Sequence, residues 1–334
     1  MHNHRLSDPI PQLSQSGRLR HLTTLEGLTA AHLNALLDRA QHHVRPLTQR
    51  PSQSQALAGV TVGNIFTEPS TRTRASFELA ARRLGADVLN LEIMLSSRMK
   101  GETVLDTVRT LEAMAMNVFV IRDAEPGVGQ FVARHVQAHV SVLSAGEAHL
   151  SHPTQGLLDA LTIRAHKGKD AFNNLTVAIV GDIRHSRVAR SGYQVLSTLG
   201  VKELRIVAPA GLMCEATEMP GAKRFDRLED GIAGADVVMM LRIQKERMAL
   251  TEIPNEAFYF QQWGLTEARL RLAKPTCIVM HPGPMNREIE IASAVADGPQ
   301  SVIRQQVTHG VAVRMAVLEA VSLEVPLAEL GTLR

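Results

Sequence analysis

The sequence predicts an α/β fold with two doubly wound parallel sheets, one in each half of the chain. Runs rich in Val and Ile alternate with segments of helical period, which is typical of parallel strands joined by crossover helices. The chain has 334 residues, enough for two domains of ordinary size. Hydrophobic residues make up 45% of it and aromatic residues only 3%, so aliphatic side chains and methionine must build the cores.

Eight apolar runs are predicted strands, four in each half. They cover residues 59–66, 86–91, 117–122, 140–146, 175–182, 203–209, 235–242 and 277–284. A helix near residues 151–168 leads out of the first half, and a last helix over 307–323 closes the chain. We therefore expect two domains, with the boundary between them near the helix at residues 151–168.

Composition excludes several functional classes. The net charge of +3 is spread along the chain without a polybasic block, which argues against nucleic-acid binding. Cys214 and Cys277 give neither a disulfide framework nor a zinc spacing, so a reducing, cytoplasmic compartment is expected. No stretch reaches transmembrane length, and the start lacks the apolar core of a signal peptide. Residues 1 to about 20 are expected to form a poorly ordered polar arm.

Polar and cationic residues follow several predicted strands. They are Glu68 to Thr73, Arg122, Arg187, Arg242 and the run from His281 to Gly283. Loops are commonly polar, so one such residue would indicate nothing. In open parallel sheets, however, ligands bind outside the carboxyl ends of the strands. Repeated arginines at these ends in both halves favour a shared anion site.

A helix is predicted to follow the first strand. Its apolar residues, Phe77, Ala80, Ala81 and Leu84, have helical spacing, Gly85 is a stop signal, and Ser70 or Thr71 is a suitable N-cap. Arg72 and Arg74 oppose the helix dipole in the first turn. Their presence is explained if a phosphate binds there, because N–H groups, hydroxyls and guanidinium groups then converge on it. The alternative is a solvated basic face, of which Arg82 and Arg83 are examples.

Other stretches are less specific on their own. Lys100 lies in a glycine-bounded loop and offers a second charge for an anion, or is a surface lysine. Glu147, His149 and His152 are metal-ligand types, but they do not make a convincing set of three ligands at a defined spacing, so no metal site is predicted. The second-half segment "AIVGDIRHSR" lacks the G-x-G-x-x-G pattern, so NAD binding is not expected.

Six segments in order carry a resemblance: "EPSTRTRASFE", "SSRMKGET", "HPTQ", "VGDIRHSRVARS", "RIQKER" and "HPGP". Together they resemble the aspartate carbamoyltransferase catalytic chains of the aspartate/ornithine carbamoyltransferase superfamily, from about Leu22 to the final helix. The resemblance implies a carbamoyl-phosphate domain, residues 1–153 with 308–334, and an aspartate domain, residues 154–307. It also implies a cytoplasmic homotrimer that joins carbamoyl phosphate and L-aspartate in pyrimidine biosynthesis, with no metal or organic cofactor.

The resemblance implies a role for each matching residue around carbamoyl phosphate. The phosphate would be held by Ser70, Thr71, Arg72 and Thr73. Arg122 would bridge the phosphate and the carbonyl oxygen, and Thr73, Arg122 and His152 would hold the oxyanion. Gln155 and the carbonyl of Gly283 would accept from the carbamoyl NH2, next to a cis bond to Pro284.

The second substrate is implied to bind to a separate set. Arg187, Arg242 and Gln244 would hold the carboxylates of aspartate. Ser96 and Lys100 would reach in from the neighbouring subunit, Ser96 to carbamoyl phosphate and Lys100 to both ligands. The implied catalytic residues are Arg72, Thr73, Lys100, Arg122 and His152.

Three alternatives stay open on the sequence. A carbamoyltransferase for ornithine would need an acidic partner for the second substrate, where arginines are found. A non-catalytic chain could bind anions or assemble with other pathway enzymes. The polar arm could contact a dihydroorotase-like or regulatory chain.

Overall fold

The computed structural model describes residues 12–48, 54–91, 103–243 and 255–333. The chain divides into two compact units. Unit 1 is Met1–Thr154 with Thr308–Arg334, and unit 2 is Gln155–Val307. Each contains one five-stranded sheet in which every strand pair is parallel. The predicted α/β fold with two parallel sheets is therefore confirmed.

Unit 1 alternates strands and helices along the chain. Its elements are β1 (His21–Leu22), α1 (Ala30–Thr48), β2 (Thr61–Phe66), α2 (Thr71–Arg83), β3 (Asp87–Leu91), α3 (Val104–Ala113), β4 (Val118–Asp123), α4 (Val128–His135), β5 (Ser141–Glu147) and the start of α5 (Pro153–Lys167). The strand order is β1-β5-β4-β2-β3. All residues of β5 are buried, as expected for a strand covered on both faces.

Unit 2 repeats this plan. After α5 come β6 (Thr176–Val180), α6 (Arg187–Thr198), β7 (Glu203–Val207), β8 (Lys223–Phe225), α7 (Leu228–Ile232), β9 (Val237–Met240), α8 (Glu256–Trp263), α9 (Glu267–Leu270), β10 (Ile278–Met280), α10 (Ser293–Ala296) and α11 (Ile303–Ser322). The strand order is β10-β9-β6-β7-β8. Both unit boundaries fall within helices, α5 and α11.

The eight predicted strands all form, and two short edge strands were missed. β1 has two residues and pairs with β5, and β8 has three residues and pairs with β7. Strands this short carry no readable alternation in sequence, because their pairing depends on a neighbouring strand that is already in place. Gly85 has a φ of 83°, so the predicted stop after α2 uses the left-handed conformation that glycine allows.

The expectation of a poorly ordered arm up to about Arg20 is wrong from Gln12 onward. The Gln12 amide is buried and donates to the carbonyls of Thr24 and Glu26 at 2.8 and 2.9 Å. Leu19 is fully buried. A buried amide with paired polar atoms fixes a segment whose composition reads as a loose arm. Residues 1–11 lie outside the described residues.

The last helix agrees within a few residues with the predicted span of 307–323, but the C-terminal segment 308–334 is not one continuous helix. α11 begins at Ile303 and ends at Ser322, and a separate 3-10 helix covers Leu327–Thr332. Pro326 lies between them, and the residue before a proline is pushed out of helical conformation. The helix is tied to α1 through a buried carboxylate at Glu319. Arg39 donates to both of its oxygens, at 2.6 and 2.7 Å.

Apolar clusters fill both units. In unit 1 the cluster packs around Phe119, Ile121, Val132 and Val142, and in unit 2 it packs around Val180, Val238, Leu265 and Val279. Aliphatic and methionine side chains dominate both, as the low aromatic content predicts. Among the described residues, no helix is both long and apolar enough to cross a bilayer.

Each sheet has one point where its strand order reverses. In unit 1 the chain runs outward from β2 to β3 and then returns to β4 on the other side of β2. In unit 2 it runs from β6 outward to β8 and returns to β9. Ligands of open α/β sheets bind in the crevice at such switch points. The ends of β2 and β4, and of β6 and β9, are therefore where a site is expected.

His21 in β1 is a buried histidine held in its neutral form. Its Nδ1 accepts from the backbone N–H of Val142 at 3.0 Å, and its Nε2 has no hydrogen-bond partner among the described residues. Burial, with a smaller contribution from Arg20, lowers the pKa of His21 from 6.5 to about 4. The folded chain therefore binds fewer protons than the unfolded chain between these pH values.

We expect the free energy of unfolding to fall by roughly 3 kcal/mol on this account as the pH drops from 6.5 to 4. His21→Asn keeps an acceptor for Val142 and removes the titration. Urea unfolding at several pH values should show a shallower acid loss in this variant than in the wild type. His42→Asn, on the exposed side of α1, is the control and should keep the wild-type slope. Equal slopes for all three proteins would contradict the prediction.

Candidate active site

The switch point of unit 1 collects the residues predicted to hold a phosphate. β2 and β4 are neighbours, and Phe66 lies opposite Arg122 in their register. Ser70 to Thr73 follow β2, so they emerge at the same edge of the sheet as Arg122. The backbone N–H of Thr67 donates to the carbonyl of Arg122 at 2.9 Å and joins the two strand ends.

The first turn of α2 is suited to an anion. The turn contains two arginines and no acidic residue, and Ser70 occupies the N-cap position. Within the described part of the chain, the Ser70 side chain makes no capping hydrogen bond. Arg72 is exposed, while Thr73 is buried on the same turn. The helix dipole and the backbone N–H groups therefore add to the guanidinium charge instead of being offset by a carboxylate.

Arg122 is held by contacts that sequence reasoning did not assign. Its Nε lies 3.1 Å from Oε2 of Glu68, and its Nη1 donates to the carbonyl of Ala145 at 3.3 Å. From sequence, Glu68 is only one of several polar residues after the first predicted strand. The pair neutralises part of the charge at the switch point, so an anion that binds Arg122 has to compete with the Glu68 carboxylate.

α11, the C-terminal helix, contacts α2. Phe77 is fully buried on the inner face of α2, and the guanidinium of Arg314 lies 5.0 Å from the centre of its ring. A cation over an aromatic face is attracted by the ring. The contact joins two elements far apart in sequence and fixes the helix that carries Arg72 and Thr73.

His152 lies after β5 and directly before α5, and it is buried. The alternative that it shares a metal with Glu147 and His149 finds no support in the geometry. The Glu147 carboxylate faces the start of α4 and accepts from the backbone N–H of Gly129 at 3.2 Å. Burial raises the pKa of Glu147, although backbone N–H groups at the start of α4 donate to its carboxylate and oppose this shift. The described residues contain no group of three or more His, Cys, Asp or Glu that could hold a metal ion.

The switch point of unit 2 carries a second pair of arginines. Arg187 is the first residue of α6 and is buried, and Arg242 follows β9. The first turn of α6 again lacks an acidic residue, and Ser186 caps it by accepting from the N–H of Ala189. Gly181 allows the close approach of β6 and β9, since a Cβ there would lie 3.1 Å from the carbonyl oxygen of Leu241.

The remaining unit 2 candidates lie on α5 and after β10. Gln155 is buried, and its Nε2 donates to Oδ1 of Asp159 at 3.0 Å. Gly283 follows His281 at the end of β10, and its bond to Pro284 is cis, as the sequence reading expected. Asp159, Gln306, His281 and Glu290, which hydrogen-bond to these candidates or to one another, were not assigned roles from sequence.

Three predicted site residues, Ser96, Lys100 and Gln244, lie outside the described residues. The structure therefore brings Ser70 to Thr73 and Arg122 to one sheet edge in unit 1. It brings Arg187, Arg242 and Gly283 to one sheet edge in unit 2.

Comparison with known families settles where this chain belongs. Residues 20–165 match the model of the carbamoyl-phosphate-binding domain of aspartate/ornithine carbamoyltransferases, and residues 173–321 match the model of their aspartate/ornithine-binding domain. The chain belongs to the aspartate/ornithine carbamoyltransferase family. The resemblance seen in the sequence is confirmed, and the first match lies mostly in unit 1 and the second mostly in unit 2.

Solved structures of aspartate transcarbamoylase from Trypanosoma cruzi are similar to this carbamoyltransferase. The complex with N-(phosphonacetyl)-L-aspartic acid has 30% identity and a TM-score of 0.81, with 93% of this chain and 98% of that chain covered. The complex with carbamoyl phosphate has 29% identity and a TM-score of 0.81, with 93% and 100% covered. The complex with carbamoyl aspartate and phosphate has 30% identity and a TM-score of 0.79, with 95% and 100% covered.

The geometry of α2 predicts that Arg72→Ala weakens the binding of inorganic phosphate by about ten-fold or more, since a charge-assisted hydrogen bond is lost. Titration calorimetry on the full chain measures this. Arg82→Ala, on the same helix but paired with Glu78 at 3.0 Å, is the matched control and should bind phosphate like the wild type. Equal losses in both variants would mean that only the general charge of α2 matters.

Proposed function

We propose that this carbamoyltransferase uses L-aspartate. It transfers the carbamoyl group of carbamoyl phosphate to the α-amine of aspartate and releases N-carbamoyl-L-aspartate and phosphate, a reaction of pyrimidine biosynthesis. The observation that carries this function is the 30% identity, over nearly the whole chain, to aspartate transcarbamoylase with its product bound. The paired arginines of unit 2, Arg187 and Arg242, have the charge that a dicarboxylate needs.

In unit 1, the phosphate binds at the amino end of α2. Its oxygens accept from the backbone and side chains of Ser70, Thr71, Arg72 and Thr73. Arg122 spans the phosphate and the carbonyl oxygen, and His152 donates to that same oxygen. Support for these roles comes from the acid-free first turn of α2 and from the shared edge of β2 and β4.

In unit 2, the carbamoyl nitrogen and the second substrate are bound. Gln155 and the carbonyl of Gly283 accept from the carbamoyl NH2. Arg187, Arg242 and Gln244 hold the two carboxylates of aspartate. The buried position of Arg187 at the start of α6 makes its charge more effective than that of an exposed arginine.

The chemistry needs positioning and charge more than acid–base groups. The unprotonated amine of aspartate attacks the carbonyl carbon, and a C–N bond forms as the carbonyl oxygen becomes an oxyanion. Thr73, Arg122 and His152 stabilise that oxyanion. The C–O bond to phosphate then breaks, and the departing phosphate accepts the proton from the amine. Holding both substrates in place supplies much of the remaining acceleration.

The active form is a homotrimer in which Ser96 and Lys100 enter the site of the neighbouring subunit. This assembly is a proposal from the family resemblance. It predicts that Lys100→Ala and Arg72→Ala chains, each inactive alone, recover part of the activity when they are unfolded, mixed and refolded together, because some sites then combine two intact halves. Refolding each variant alone is the control. If the mixtures stay inactive although trimers form, the sharing of sites is wrong.

Substrate choice separates this function from the ornithine alternative. We expect carbamoylated product from carbamoyl phosphate with aspartate and none with ornithine, measured in parallel. Arg242→Ala should raise the KM for aspartate by about ten-fold to a hundred-fold, because one charge-assisted contact to a carboxylate is lost. Arg227→Ala, an exposed arginine of the same unit, is the control. Product with ornithine only would overturn the proposal.

A further inference from the structure

Four buried residues of unit 2 form a continuous hydrogen-bond chain, in which His281 takes part through both its backbone N–H and its imidazole. We call this chain the polar relay: Asp159, Gln306, His281 and Glu290. None of them contacts a substrate in the proposed function. The relay does contact both groups that the proposed function assigns to the carbamoyl NH2, Gln155 and Gly283.

The direction of each hydrogen bond follows from a backbone group. The N–H of His281 donates to Oε1 of Gln306 at 2.9 Å. A backbone N–H can only donate, so Gln306 must turn its oxygen toward His281 and its NH2 group away. That Nε2 lies 2.8 Å from Oδ1 of Asp159. Oδ1 of Asp159 therefore accepts.

The same carboxylate oxygen fixes Gln155. Oδ1 of Asp159 lies 3.0 Å from Nε2 of Gln155. Because Oδ1 accepts, Gln155 has to present its NH2 group to Asp159. The carbonyl oxygen Oε1 is then what Gln155 offers to a substrate. With the amide turned over, Gln155 would offer a donor instead.

The other end of the relay holds the loop that carries Gly283. The N–H of Gly283 donates to Nδ1 of His281 at 2.8 Å, so the proton of the neutral imidazole resides on Nε2. That Nε2 lies 3.2 Å from Oε1 of Glu290, and the same oxygen accepts from the N–H of Asn286. The N–H groups of Gly283 and Asn286 thus anchor this loop at two points. The carbonyl of Gly283, which lies between them, is held in place.

We propose that the polar relay makes the site selective for a carbamoyl donor by holding two oxygen acceptors, at Gln155 and Gly283, toward the transferred group. This inference rests on the proposed function. A carbamoyl NH2 donates to both acceptors. Acetyl phosphate has the same phosphate and carbonyl but a methyl group, which leaves both acceptors unpaired. The relay residues are positioning residues, since they act through Gln155 and Gly283.

The test compares the two donors on the full chain. Acetyl phosphate is used as a competitor of carbamoyl phosphate in the aspartate assay, and the ratio of its Ki to the KM of carbamoyl phosphate measures recognition of the NH2 group. Asp159→Leu frees the Gln155 amide to rotate, so the ratio should fall by at least about ten-fold. Gln306→Met removes the amide that joins Asp159 to His281. This variant should also lower the ratio of Ki to KM.

A merely structural role would not move this ratio. Asp236→Leu is the matched control, because Asp236 is a buried carboxylate of the same unit that accepts from the Thr176 N–H and from Lys274, away from the relay. This variant should lose stability and keep the wild-type ratio. If Asp159→Leu does not fold, Gln306→Met decides.

Two negative results are distinguishable. A wild type that carbamoylates aspartate, with wild-type ratios in Asp159→Leu and Gln306→Met, would overturn the relay and leave the proposed function intact. A wild type that forms no product from aspartate would overturn the proposed function, and the role of the relay in donor choice with it.

Discussion

Positive charge at the amino ends of two helices is the constraint around which each unit is organised. α2 and α6 both follow the strand beside which the strand order of their sheet reverses, and both begin without an acidic residue. The helix dipole disfavours cations there, so Arg72 and Arg187 lie where the field of their own helices is unfavourable to a positive charge. A bound anion reverses that balance, because the dipole, the N–H groups and the guanidinium then act on the same charge.

Parallel sheets bring these charges to the right place. All strands in each unit run the same way, so every carboxyl end opens at one edge. The strand order then reverses next to β2 and next to β6. Arg122, near the end of β4, lies at the first of these points, and Arg242, which follows β9, lies at the second. Glu68 and Ala145 hold the Arg122 guanidinium in a defined position. Each switch point therefore carries positive charge on a sheet whose core is aliphatic and buried.

The buried polar groups of unit 2 show how orientation is controlled in an apolar surrounding. An amide side chain has a donor and an acceptor of almost equal shape, so packing alone does not choose between its two orientations. A backbone N–H does choose, because it can only donate. The His281 N–H orients Gln306 in this way, and the Asp159 carboxylate, which accepts from both Gln306 and Gln155, orients Gln155. In unit 1, the buried carboxylate of Glu319 on α11 accepts from Arg39 on α1 and so joins these two helices.

Local pattern determined much of this protein. The alternation of apolar runs and helical segments predicted eight of the ten strands in the described residues, and the arginines at strand ends predicted the sheet edges at which we propose that the substrates bind. These features can be read in sequence because each depends on residues within a few positions of one another.

Tertiary structure alone decided the rest. β1 and β8 exist because β5 and β7 lie beside them, and Gln12 is ordered by carbonyls that it meets only in the folded chain. The pairing of Arg122 with Glu68 and the chain from Asp159 to Gln306 join residues tens to more than a hundred positions apart. Such contacts depend on how elements far apart in sequence pack together. A local periodicity in the sequence cannot predict that packing.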